Sequence, residues 1–115
     1  MRETDRDTLS IDHILEGAQN VITFMEGKNL DNLKQDKILF FAVVKNIEII
    51  GEAAFMITKE FKESHPEIPC KSITGMRHIL VHDYYRISPE EIFKVYKDNL
   101  TDLIPKLKTL SALFP

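Results

Sequence analysis

Apolar residues recur at three- and four-residue steps along most of the chain, beginning with Ile11, Ile14, Leu15, Ala18, Val21, Ile22 and Met25. That spacing lines one face of an α-helix. Gly27 stands where such a helix would stop, so the first helix is predicted over about Thr8 to Glu26. A polar turn over Lys28 to Asn32 separates it from a second stripe, Phe40, Val43, Ile47, Ile50, Ala54, Ile57 and Phe61, which reads as one long helix. Further apolar residues flank the stripe, among them Phe41, Val44, Ile49, Ala53, Phe55 and Met56, and leave a narrow polar face of Lys45, Glu48, Glu52 and Lys59. A helix apolar around so much of its circumference must be covered on several sides. It is expected to lie at the centre of a bundle and also to meet a second copy of the chain. Gly51 sits inside it, where glycine costs about 1 kcal/mol relative to alanine, and so predicts close approach of another helix.

Pro66 and Pro69 break the next segment, because each removes a backbone donor and biases its predecessor toward extended geometry; His65 to Pro69 is a loop. Ile73, Met76 and Leu80 mark a third helix over about Lys71 to Val81. Ser88-Pro89-Glu90-Glu91 opens a fourth, with serine as the cap, proline at the first helical position, and Glu91 placed to complete a capping box. The core face of this helix runs through Ile92, Tyr96, Leu100, Leu103, Leu107 and Leu110, and Pro105 is expected to kink or split it near Thr101 to Ile104. No period-two pattern, internal repeat or low-complexity tract interrupts this reading. The expectation is an all-α, up-and-down bundle of four to five helices in a single domain over residues 1–115.

Composition narrows the setting. The chain has 115 residues, 43% apolar and 29% charged, enough to bury roughly two thirds of its unfolded surface without a disulfide or metal staple. The one cysteine, Cys70, cannot form an intrachain disulfide or a cysteine-rich zinc site, and the default expectation is the cytoplasm. The longest apolar run, Ile38 to Val44, is seven residues, against the ~20 of a membrane-spanning helix. The first residues, MRETDRDTLS, are charged and precede no apolar stretch, so no signal peptide is expected. A net charge of −3 and a pI near 5.8 argue against coating nucleic acid by bulk charge. Nucleic-acid chemistry would need a local site.

There is no GxGxxG, Walker loop, HExxH or evident Ser-His-Asp arrangement. Polar chemistry concentrates in Arg77 to Arg86, read RHILVHDYYR. Arg77 can hold phosphate oxygens through two parallel hydrogen bonds, and His82, with an ordinary pKa near ~6.5, can act as base or acid near neutrality. On a continuous helix these two positions point about 140° apart. If the helix ends near Val81 and the chain turns extended, His82 and Tyr84 share a side and can return toward Arg77. A dimer pairing equivalent segments would instead bring two arginines and two histidines into one cleft. Plainer roles compete at each position: Arg77 bridging a carboxylate such as Glu52, His82 as a structural histidine, Tyr84 and Tyr85 as packing residues. Glu52 reads as part of a solvated face without a catalytic role, and His78 as structural or surface. His13, His65 and Cys70 lack metal-ligand spacing, so no metal or cofactor is expected.

Arg77, His82 and Tyr84 stand in the spacing R-x4-H-x-Y, in a chain that also carries Ile49-Ile50-Gly51-Glu52-Ala53-Ala54, Ile68-Pro69, Gly75-Met76-Arg77 and Leu80-Val81-His82-Asp83-Tyr84. In these features it resembles the HepT-type branch of the HEPN superfamily of helical nucleotide-binding and ribonuclease domains, from helix one to about Leu110. The resemblance implies a homodimeric toxin that cleaves RNA without metal, with Arg77 and His82 catalytic. It implies a neighbouring MNT-type nucleotidyltransferase antitoxin that silences the toxin by attaching AMP to Tyr84, the residue that also positions RNA. Two positions depart from the pattern: Cys70 stands where tryptophan is common, and His78 where asparagine is. The alternative is a non-catalytic dimeric module that binds or presents a nucleotide to such a nucleotidyltransferase.

Overall fold

A computed structural model describes residues 3–82 and 87–113, and every regular element among them is helical. The first helix, α1, runs Glu3–Met25. It ends where Gly27 adopts φ +72, a left-handed conformation open to glycine without a Cβ clash. The segment expected as a polar turn contains a short helix, α2, Leu30–Gln35. Asn29 and Asn32 make it possible by exchanging side-chain and backbone hydrogen bonds at 3.1 and 2.9 Å, while Leu33 plugs into the core. Two asparagines three apart form a capping box that the usual serine and glutamate pattern does not reveal.

The predicted long second helix is two helices, α3 (Lys37–Phe55) and α4 (Lys59–Ser64). The break lies at Thr58, whose backbone is extended. Its N–H donates to Asp7 Oδ1 at 2.8 Å and its hydroxyl to Asp7 Oδ2 at 2.6 Å, while the same hydroxyl accepts from the Phe61 N–H at 3.3 Å and so caps α4. Asp7, only 2% exposed, therefore takes from α1 the donor that a continuous helix would have spent on Ala54. Phe61 stays half-buried against the core, which explains why the apolar stripe reads through the break.

After the loop at 65–69, where Ile68 is buried, α5 runs Cys70–His82. Ser88 caps α6 (Pro89–Lys94) by accepting the Glu91 N–H at 3.2 Å. Glu90 rather than Glu91 supplies the anchoring carboxylate: it meets Lys34 Nζ at 2.9 Å and joins α6 to α2, and the Lys34 ammonium holds its carboxyl below the ordinary range. Pro105 does not split the last helix. The chain widens into a π-helical segment, Val95–Leu100, and continues as α7, Thr101–Ser111, with Pro105 inside it. Proline lacks the N–H that would reach Thr101 and its ring crowds that carbonyl, yet α7 runs through it.

α1 and α3 form the centre and run antiparallel: Asp7 meets Thr58 at one end, and Asn20 donates to Asn46 at 3.1 Å farther along. α5 packs on α3, and α7 on α1. Ile11, Ile14, Val21, Val43, Ile50, Leu80, Ile92 and Leu107 are fully enclosed between them. The α3–α5 crossing is the tightest point. A Cβ on Gly51 would lie 2.0 Å from Arg77 Cβ and 3.1 Å from its Cα, so only glycine fits. Gly51→Ala must push α5 away, and equilibrium denaturation should show a loss of about 1–3 kcal/mol, typical of overpacking; unchanged stability would mean that the crossing is looser than this.

Candidate functional site

The same crossing positions Arg77. Gly51 admits the α5 backbone, and the next residue, Glu52, grips what arrives: Arg77 Nη2 stands 2.8 Å from Glu52 Oε2. The arginine side chain is 31% exposed and the glutamate 56%. One edge of the guanidinium is therefore held by a carboxylate, while the side chain as a whole keeps about a third of its surface in water. Arginine has five N–H donors in a rigid fork, so the pair orients the group without exhausting it. The carboxylate bridge weighed for Arg77 is thus present, and Glu52, read as a solvated residue, has a structural partner. The signal was the adjacency of Gly51 and Glu52.

α5 retains helical backbone through His82, one residue beyond the expected end. Nothing between Cys70 and Val81 breaks the hydrogen-bond ladder, so positions 77 and 82 lie about 140° apart around one axis. An extended return toward Arg77 would begin after His82, among residues 83–86. The His82 imidazole, and Asp83 to Arg86 with Tyr84 among them, lie outside the described residues.

The remaining candidates are separate from this crossing. Cys70 is buried and burial pushes its thiol up from the ordinary value, which makes it a packing residue rather than a nucleophile. His65 lies against Phe61, ring centroids 4.5 Å apart, and its Nδ1 is 3.4 Å from Glu67. His13 lines a shallow cleft with Glu16, Asn20 and Asn46. Among the described residues no group of histidine, cysteine or acidic side chains could hold a metal ion, and no helix is long and apolar enough to cross a membrane.

The family model described as "Ribonuclease HepT-like" matches residues 14–110. The chain is similar to "Probable ribonuclease HepT" of Thermococcus cleftensis, 32% identical over 96% of this chain and 98% of the relative. It is also similar to "Putative RNase MJ1380" of Methanocaldococcus jannaschii, 36% identical over 83% of this chain and 84% of the relative. A third relative, "Putative RNase TTE0752" of Caldanaerobacter subterraneus subsp. tengcongensis, is 32% identical over 87% of this chain and 89% of its own length. No solved structure matches the chain.

Because the Arg77–Glu52 pair is half in water, a double-mutant cycle with Arg77→Met and Glu52→Gln should give a coupling of only about 0.2–1 kcal/mol in stability. A coupling several times larger would mean that the pair holds α5 in place, and not merely the guanidinium.

Proposed function

This chain belongs to the HepT-like ribonuclease family, and on that premise we propose that it is the toxin of a toxin–antitoxin pair, a metal-independent endoribonuclease working with Arg77 and His82. The observation that carries this reading is the family match over residues 14–110, which spans both residues, together with a guanidinium fixed at a helix crossing yet open to water. RNA brings its own nucleophile. The 2′-oxygen attacks the adjacent phosphorus as a base takes its proton, and the 5′-oxygen leaves as an acid returns one, giving a cyclic phosphate and a 5′-hydroxyl. His82 serves in proton transfer, and Arg77 holds the oxygens on which charge accumulates. Orienting the guanidinium beforehand is the part of this task assigned to Glu52.

A homodimer with a composite cleft accounts for two further observations. Positions 77 and 82 diverge around α5, so a second copy is the simplest source of the complementary group. The outer faces of α1 and α3 also expose Leu9, Phe24, Phe41, Ile49, Phe55 and Met56, the last two at 60% and 44%. On α3 these residues share the stripe that carries Glu52, so the apolar face runs up to the Arg77 crossing, as a cleft at a dimer seam requires. In the proposed silencing, a cognate MNT-type nucleotidyltransferase attaches AMP to Tyr84. An added phosphate two residues beyond His82 would occupy the arginine and exclude RNA from the cleft.

Purified protein should cleave RNA in the presence of EDTA. Arg77→Ala and His82→Ala should each lose about 10²–10⁴-fold in rate while melting cooperatively near the parent temperature. No cleavage by the parent protein would select the non-catalytic nucleotide-presenting role. Co-expression with the nucleotidyltransferase should raise the intact mass in AMP-sized steps, and Tyr84→Phe should abolish the increase; an unchanged increase would place the modification elsewhere.

A further inference from the structure

Helix α5 packs along α3 but stands away from the C-terminal helix, and the gap is a continuous groove. Two cavities of about 210 and 360 Å³ make it up, joined because Ser72, Met76 and Val95 line both. Its floor is apolar, with Ile50, Ile73, Leu80, Ile92 and Leu103 among the lining residues. From Pro69 to Leu80 it follows about 16 Å of helix, three turns, at ~1.5 Å per residue.

The two walls differ. On α5 the wall contains Gly75, in the middle of a helix, where alanine would hold the helix better. Gly51 is explained by the Arg77 backbone pressed against it, but a Cβ on Gly75 would meet nothing within 4 Å, and Gly75 has no left-handed φ. Nothing within the described chain requires glycine there. What glycine offers is room for another backbone to come close. On the opposite wall, Glu91, Asp98 and Asp102 follow one another at steps of seven and four along α6, the π-helical segment and α7, all exposed. Among the described lining residues Lys106 is the one basic side chain, and it is already paired with Asp102 at 3.0 Å.

We propose that this groove is a docking site for an amphipathic helix of a partner protein, apolar on the face that enters and bearing lysine or arginine along the flank that meets Glu91 and Asp98. Three turns of such a helix match the length of the groove, and its backbone would sit over Gly75. A row of carboxylates repels an RNA backbone, so the groove suits a cationic partner helix rather than RNA. This inference does not rest on the ribonuclease reading.

The probe is a synthetic 18-residue leucine–lysine helix, added to the full-length ¹⁵N-labelled chain, with a leucine–glutamate helix as its charge-reversed control. The lysine peptide should shift the amides of Ser72, Gly75, Met76, Glu91 and Val95, and Gly75→Leu and the pair Glu91→Lys, Asp98→Lys should each weaken it about tenfold or more. Gly75→Ala, which meets no neighbour, should raise the melting temperature of the free chain and so separate blocked docking from misfolding. Equal binding of the glutamate peptide, shifts confined to other surfaces, or indifference to Gly75→Leu would overturn the proposal. So would a change in sedimenting mass with Gly75→Leu, since the occupant would then be a second copy of this chain.

Discussion

The close passage of α5 over α3 at Gly51 is the constraint on which the rest of the molecule depends. Without a Cβ at that position the Arg77 backbone comes within van der Waals reach, and Glu52, one residue on, is then near enough to grip the guanidinium at 2.8 Å. Adjacent residues of α3 thus set the helix spacing and orient the arginine. The ion pair is a weak source of stability because water screens both partners. Its consequence is directional: a flexible side chain is held in one orientation by one of its N–H donors, leaving the other donors of the fork for a further partner.

A second contact acts at longer range. Asp7 is buried and acceptor-only when ionised, so its two oxygens need donors. Thr58 supplies both an N–H and a hydroxyl, 51 residues away, and in doing so ends α3 and starts α4. This turns the chain early enough for Ile57 and Ile68 to enter the core beside Cys70, at the head of α5. The path that delivers Arg77 to its crossing therefore runs through a polar contact, although the energy of the core is apolar burial.

Among the described residues two surfaces stand out, and they differ in chemistry. The outer α1/α3 face is a mixture of large apolar side chains and charges that ends at the Arg77–Glu52 pair. The α5 groove is apolar at its floor and acidic along one edge. The first suits a self-complementary seam, where like meets like across a two-fold axis. The second suits a partner of opposite charge. α5 lines the groove and carries the arginine that Glu52 grips at the edge of α3.

Helical periodicity alone determined the helix class, the faces of α1, α5 and the C-terminal helix, and the stop at Gly27, because local spacing and glycine stereochemistry act without regard to what lies opposite. Gly51 was legible as a close approach for the same reason, and the spacing of Arg77, His82 and Tyr84 pointed to one short stretch of chain. The break at Thr58 was not legible, since an apolar stripe continues whether or not a distant carboxylate claims a backbone donor. Nor was α2, whose cap is two asparagines, or the π-helical segment before Pro105, where the helix runs on instead of breaking. Only the folded chain decided that Glu52 faces Arg77 and that α5 keeps its helical turn through His82, because both depend on how two helices cross, and the angle and depth of a crossing are properties of paired surfaces rather than of either sequence segment.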